Sequence, residues 1–574
     1  MVVRRAMTVG VVVLMAAGAM SACSPPASHG DTPVPGVQGF DDVYSQTISW
    51  RDCPAPADDV DSIDGAECGT VSVPLDWNSP GRTDRIDVAV NRFRATGGDV
   101  KGSVLVNPGG PGSSGKEFAA GLAAEPTTAT LRTSYDLIGF DPRGVGETSP
   151  IKCANTSNIS IVNFSQCIED NEVSHFMGTT SVAKDMDVIR TLVGDRSLNY
   201  FGLSYGTMLG ATYATLFPTF VGRMVLDSAE SAGWANVIHN YDMASATADA
   251  ADRYVRSCTV ELTAGVRCAF DSPQSLQDRI RQLDERPLAS TSGAKFDGKD
   301  LRAFVDAALY DRPELRAAGL AHVSAALGGD QRAIDSLITD DDGASVGDAR
   351  SIVQCFSTPR VPDFVALQQH IRDQGAATQA EVDEALERTG VGELGDCSVL
   401  AETGSDITER FDAAGSAPIL VTGLTGDHAT PYKYARELVD QLGNARLLTL
   451  DGDGHGAAYS QSSCITANVD SYFSAGTMPA EGTTCTWDAS YQDVPAVDIA
   501  ASPSNVPQLS GRAPASERIE IAAPDRSTEP QFVAVSDAGT WGPVEVSAGC
   551  YDVRTVKPGS RSEPVAVCVD VRNP

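Results

Sequence analysis

The chain has 574 residues, of which 42% are hydrophobic and 21% charged, and its formal net charge is −33 at pH 7. That length exceeds what one growing core accommodates, so two or three structural units are expected. So acidic a surface excludes nucleic acid as a partner and charge-driven binding to anionic membranes, while it favours solubility.

The first element in chain order is a leader. Arg4 and Arg5 precede an apolar run from Met7 to Ala19, which ends in Met20-Ser21-Ala22-Cys23. A positive start, a short apolar stretch and small residues before a cleavage point read as an export signal over 1–22, too short to span a membrane. The cysteine behind the small residues resembles the bacterial lipoprotein signal, with Met20 in place of the usual aliphatic residue. Lipidation of Cys23 would give a protein anchored to the outer face of the cell membrane, with that anchor as its membrane contact. Cleavage as an ordinary secreted protein is the alternative. Residues 23–44 carry Pro25, Pro26, Pro33 and Pro35 and little apolar content at their start, and read as a tether.

Apart from Cys23, the cysteines are even in number and fall along the chain as neighbours: Cys53 and Cys68, Cys153 and Cys167, Cys258 and Cys268, Cys355 and Cys397, Cys464 and Cys485, Cys550 and Cys568. An even complement suits an exported, oxidising setting, and pairing between sequence neighbours is expected. None of these pairs has the CxxC spacing of a zinc or thiol-redox site. No metal or cofactor is expected.

Short apolar, β-branched runs then alternate with helical stretches, which predicts an α/β fold with a mostly parallel sheet. The predicted strands are Thr70 to Val73, Ile86 to Val90, Ser103 to Asn107, Tyr135 to Phe140, Leu198 to Leu203, Arg223 to Asp227, Pro418 to Gly423 and Arg446 to Leu450. The first part of this sheet domain covers 45–227 and the second part 416–490. Between them, 228–415 is rich in Ala, Asp, Arg and Leu at helical spacing and reads as an inserted helical cap. Residues 491–514 are rich in Pro, Ser and Ala and read as a linker. From 515 to 574 apolar and polar residues alternate, as in Glu517 to Ile521, Gln531 to Val535, Val544 to Val546 and Val565 to Val571, which predicts a small β module of unknown partner.

Chemistry concentrates at four places. The run YFGLSYGTMLG sets Ser204 in a Gly-x-Ser-x-Gly frame between a predicted strand and a predicted helix. That is the pattern of a nucleophile elbow, which lifts a hydroxyl to the strand end above a helix N-terminus. Upstream, VLVNPGGPGSSG places Gly109, Gly110 and Gly112 after a strand, where backbone N–H groups can face a substrate oxyanion. The expected donors are Gly110 and Tyr205, with Gly109 as the alternative to Gly110.

A base is the next requirement. Of the seven histidines, His29 lies in the tether, and His175, His239, His322 and His370 precede any late acid strand, in a fold whose order is Ser, acid, His. His455 sits in LLTLDGDGHGAAY, on a Gly-rich turn after a strand, and is the expected general base and acid. Asp427, in ILVTGLTGDHATP, is the expected orienting acid; His428 beside it is too close in sequence to face it at the elbow. Asp451 and Asp453, in the loop of His455 itself, are the alternatives for the acid.

With these residues in place, the chain resembles the exported tripeptidyl aminopeptidase-like α/β-hydrolases, relatives of the prolyl aminopeptidases. The matching pieces are VSVPLDW at 71–77, NPGGPGSSG at 107–115, GFDPRGVGETSP at 139–150, GLSYGT at 202–207, GDHATP at 426–431, GHG at 454–456 and YFSAGTMPAEGTTC at 472–485. The chain departs from the family at Ser113, where another Gly is common, and at Asp427-His428, where Asp-Pro is common. The resemblance covers about 45–490. It implies the α/β-hydrolase fold with a helical cap, and a serine peptidase releasing short peptides from free N-termini through an acyl-enzyme on Ser204.

Such an enzyme needs an anion for the substrate ammonium. Glu230 is one choice, beside many carboxylates of the cap. Asp141 and Arg143 are expected to fix their own turn. Two alternatives stand beside the peptidase: an esterase or lipase of envelope lipids using the same triad, and a non-catalytic surface binding protein.

Overall fold

Alternating apolar residues along the central strands build one ten-stranded sheet with a core on each face. The computed structural model describes residues 36–54, 65–153, 160–261, 268–270, 272–310, 313–338, 344–389, 391, 397–407, 410–459 and 462–488, and most of the strands between 496 and 569. The leader, Cys23 and most of the tether lie outside the described residues. Among the described residues no helix is long and apolar enough to cross a membrane.

Seven strands come first: β1 (Arg51–Asp52), β2 (Ala66–Pro74), β3 (Arg85–Phe93), β4 (Gly102–Asn107), β5 (Tyr135–Phe140), β6 (Leu198–Leu203) and β7 (Val221–Asp227). A two-stranded hairpin, β8 (Leu288–Ala289) and β9 (Lys295–Phe296), belongs to the insertion. The sheet resumes with β10 (Ile419–Asp427), β11 (Ala445–Gly454) and β12 (Thr484–Thr486). Its strand order is β1-β2-β3-β5-β4-β6-β7-β10-β11-β12. From β5 to β12 every neighbouring pair is parallel, and β1, β2 and β3 form an antiparallel edge.

Because side chains alternate across a strand, the central strands feed two cores. Leu105, Tyr200, Leu226 and Val421 point to one face with Met208 and Val188. Val104, Val106, Phe201, Val225 and Leu420 point to the other with Leu122 and Phe473. Each such side chain, fully buried, contributes on the order of 1.5–3 kcal/mol.

Between β7 and β10 lie helices running from Val237–Glu261 to Gln379–Thr389. They bury cores of their own, one on Tyr254, Val255, Ile280, Leu301 and Val323, another on Tyr241, Leu367 and Val382. Among the described residues, four disulfides join the expected neighbours: Cys53–Cys68, Cys153–Cys167, Cys355–Cys397 and Cys464–Cys485. The first spans a separation of 15 residues, and closing a loop of that size contributes about 3 kcal/mol in the chain-entropy account. Cys268 is also disulfide-bonded, while the side chain of Cys258 is outside the described residues. Cys550 and Cys568 stand opposite each other across two antiparallel strands, their side chains likewise outside the described residues.

The C-terminal strands start earlier than composition indicated. The presumed linker 491–514 contains β13 (Ala496–Ala501) and β14 (Pro507–Arg512), which pair antiparallel with each other. They are followed by β15 (Arg518–Ala522), β16 (Gln531–Ala534), β17 (Thr540–Glu545), β18 (Gly549–Lys557), β19 (Ser560–Arg561) and β20 (Val565–Val569). One sheet has the order β13-β14-β17; the other runs β16-β15-β18-β19, with β20 on β18. Leu509 from the stretch read as linker is buried with Ile519, Ile521, Trp541 and Val553, so those residues are part of the module's core.

Candidate active site

Ser204 stands where β6 gives way to the helix Gly206–Leu216, with a left-handed φ of 58°. A non-glycine residue there costs about 1–3 kcal/mol, so its surroundings must hold it. The Ser204 N–H donates to the Asp227 carbonyl at 2.9 Å, and the N–H and hydroxyl of Thr207 donate to the Ser204 carbonyl at 2.8 and 2.6 Å. Gly206 opens the helix where a Cβ would come within 2.7 Å of the Asn107 carbonyl oxygen. Bare backbone lets the helix begin this close to the end of β4.

The glycine loop lies against this elbow. Gly109 has a φ of +91°, and a Cβ there would meet the Leu203 carbonyl oxygen at 2.5 Å and the Tyr205 nitrogen at 2.8 Å. Its N–H donates to Oδ1 of Asn107 at 2.9 Å. Gly109, the alternative to Gly110, is therefore not an oxyanion donor, because its N–H is already occupied. The N–H groups of Gly110 and Tyr205 make no hydrogen bond to another described residue, as groups awaiting an oxyanion would. We expect Gly109→Ala to slow acylation by roughly 10²–10³-fold, the cost of one lost oxyanion donor, because its methyl would crowd the Tyr205 N–H. The rate of labelling by a fluorophosphonate measures this, and labelling at the native rate would contradict it.

Strand register brings the late Asp and His together. Asp427 ends β10 directly opposite Gly454 of β11, so the next residue, His455, turns over the acid. His455 Nδ1 lies 3.0 Å from Asp427 Oδ1 and 3.2 Å from Oδ2. The Asp427 side chain is fully buried and that of His455 is 7% exposed. Burial alone would raise the Asp427 pKa, but the charge and hydrogen bond of His455, with donors from Thr430 and Ser228, hold it below the usual carboxylate range. For His455, burial opposes the charged ring, and the Asp427 charge, aided by Asp227 and Glu230, outweighs it and raises the pKa. The alternative acids are elsewhere: Asp451 accepts from Thr425 Oγ1, and Asp453 pairs with exposed Arg253.

Several residues that sequence reading passed over complete this arrangement. Thr430 donates its N–H to Asp427 Oδ1 and its hydroxyl to Oδ2, both at 2.9 Å, and Ala429 N–H donates to Oδ1 at 3.0 Å. An Asp followed by N–H donors two and three residues on is a local turn signal that DHATP did carry. The buried Asp227 carboxylate accepts from Ala457 N–H at 3.0 Å and Ala458 N–H at 2.9 Å, and from the Thr422 hydroxyl. These contacts hold the His455 loop beside the elbow, where a Cβ on Gly456 would meet Leu203 Cδ1 at 3.4 Å.

Other residues singled out in the sequence fall around this centre. His428 is 2% exposed, and burial drives its pKa down to about 4, so it is neutral at pH 7. Its ring centroid lies 4.6 Å from that of Tyr310, which reaches over from the insertion and also stands 5.5 Å from His455. Glu230 is buried, and its carboxylate is hydrogen-bonded by His239. Arg143 is wholly buried against Asp185 and the carbonyls of Pro74 and Leu75, and Asp141 accepts from Ser114 and Glu147. Arg143 therefore ties its turn to the end of β2 and to the helix Thr179–Leu192, and Asp141 ties it to the glycine loop.

Comparison with known proteins agrees with this architecture. Residues 102–261 match the family described as alpha/beta hydrolase fold, and residues 385–485 the family described as TAP-like protein. Serine protease Hip1 of Mycobacterium tuberculosis is 31% identical over 480 residues, covering 77% of this chain and 91% of that protein. Tripeptidyl aminopeptidase of Streptomyces coelicolor is 29% identical over 482 residues, 76% of this chain and 86% of that protein. Carboxylesterase B of Mycobacterium tuberculosis is 30% identical over 518 residues, 82% of this chain and 96% of that protein. Sheet and comparisons together define an α/β-hydrolase acting as a serine hydrolase. More closely, the chain belongs to the TAP-like family of these enzymes, with Hip1 and tripeptidyl aminopeptidase among its relatives.

Proposed function

We propose that this enzyme is an exported serine peptidase that releases short peptides from free N-termini, with Ser204 as nucleophile, His455 as base and Asp427 as its orienting acid. The observation that carries the reading is the 3.0 Å contact between His455 Nδ1 and buried Asp427, at a loop packed beside the strained Ser204. In this scheme His455 Nε2 takes the Ser204 proton as Oγ attacks the peptide carbonyl. The N–H groups of Gly110 and Tyr205 hold the oxyanion. His455 then gives its proton to the departing amine, and water releases the acyl group by the same route in reverse. The peptidase relatives favour a peptide bond as the bond cut.

Glu230 is our choice for the substrate ammonium, since it is buried and close enough to raise the His455 pKa by its charge. A charge-assisted hydrogen bond of about 1.5–3 kcal/mol is then at stake. Glu230→Gln should raise KM for free-N-terminus peptides by roughly 10–100-fold and leave KM for acetylated peptides unchanged. Equal losses on both would refute this role.

Mass spectrometry of products from a mixed peptide library tests the whole reading, and products cut only from chain interiors would overturn it. The carboxylesterase B relative favours a second reading, an esterase on the same triad; faster turnover of short acyl esters than of any peptide would support it. Export is supported by the disulfides. Anchoring through Cys23 would be refuted by a mature chain that begins at any other residue.

A further inference from the structure

Ser228 follows β7 directly, is fully buried, and has a φ of 49°, in the left-handed region that favours glycine. A serine kept in that conformation needs its side chain for something. Its Oγ accepts the N–H of Gly456, the residue after His455, at 2.7 Å. A hydroxyl that accepts one hydrogen bond still has its own proton to give, and Ser228 is among the groups that lower the Asp427 pKa. Its neighbour Asp227 accepts the N–H of Ser204 on its carbonyl and the N–H groups of Ala457 and Ala458 on its carboxylate. Two consecutive residues thus touch the elbow and the histidine loop.

We propose that Ser228 is a positioning residue for acyl transfer, its hydroxyl bridging the Asp427 carboxylate to the backbone of the His455 loop and fixing the imidazole between Asp427 and Ser204. The proposal rests on the triad reading above. Without the hydroxyl, Asp427 loses a donor and keeps more of its negative charge for the His455 ring, while the loop loses a tie. The ring then orients less well, and its protonated form is favoured to higher pH.

Two variants test this, assayed on a tripeptide anilide with a free N-terminus and by fluorophosphonate labelling at Ser204. Ser228→Gly suits the backbone and should melt at or above the native temperature. It should lower kcat about 10-fold, the equivalent of the one proposed hydrogen bond to the Asp427 carboxylate, at nearly unchanged KM. The acid limb of its kcat/KM profile should move to higher pH. Ser228→Ala keeps the Cβ and should show the same kinetic changes, so the test stands if the glycine variant folds poorly. Native kcat and an unshifted acid limb in either folded variant overturn the proposal while leaving the triad intact. Failure of the native enzyme to label at Ser204 overturns the triad reading, and this proposal with it.

Discussion

Ser204→Ala is expected to lower kcat/KM for a peptide anilide by roughly 10⁴–10⁶-fold, with the circular dichroism spectrum and melting temperature close to native. The fold should survive because the contacts that hold the elbow are made by the backbone of residue 204, its N–H to Asp227 and its carbonyl to Thr207. Alanine keeps all of them. The residual rate would come from the oxyanion donors and from binding, and adding His455→Ala should cost little more, since the two side chains act as a unit. A variant within 10-fold of native activity would mean that another nucleophile does the chemistry.

Asp427→Asn should cost about 10⁴-fold near neutral pH, because an amide presents the wrong partner to His455 Nδ1 and favours the unproductive tautomer. Its pH profile is as telling as its rate. In the native enzyme His455 is raised above the ordinary imidazole value of about 6.5. The acid limb of kcat/KM should therefore lie above that pH, with activity rising as the ring deprotonates. With the Asp427 charge gone, burial acts on the ring with less opposition and the limb should move down. The same pair contributes to stability in opposite directions of pH. The lowered Asp427 contributes fully above its unfolded value of about 3.9, and that contribution is lost as pH falls through the folded value. The raised His455 contributes below about 6.5 and loses it as pH rises through its folded value. An unmoved acid limb in Asp427→Asn would remove Asp427 from its assigned role.

The sheet strands and the elbow were legible in the sequence because their signals are local. Leu198 to Leu203 and Tyr135 to Phe140 match the observed strands residue for residue, since apolar runs closed by turn residues are self-contained. Asp227 and Ser228 were not legible, because their partners Gly456, Ala457 and Ala458 lie more than two hundred residues along the chain. The sheet order β7-β10-β11 brings them together. The choice between Gly110 and Gly109 stayed open for a related reason: pattern alone cannot tell that Asn107 has already taken the Gly109 N–H. The stretch 491–514 was misread because Pro, Ser and Ala mimic a linker, while β13 and β14 owe their order to each other and to β17.

β7 and β10 are hydrogen-bonded neighbours, with Leu420 beside Val225 and Val421 beside Leu226. The chain therefore leaves the sheet and rejoins it almost at the same point, whatever the length of the excursion. Such an excursion behaves as a cassette. Its length can change without moving the strand ends that hold Ser204, Asp427 and His455. Tyr310, which stands 5.5 Å from His455, belongs to that cassette rather than to the sheet.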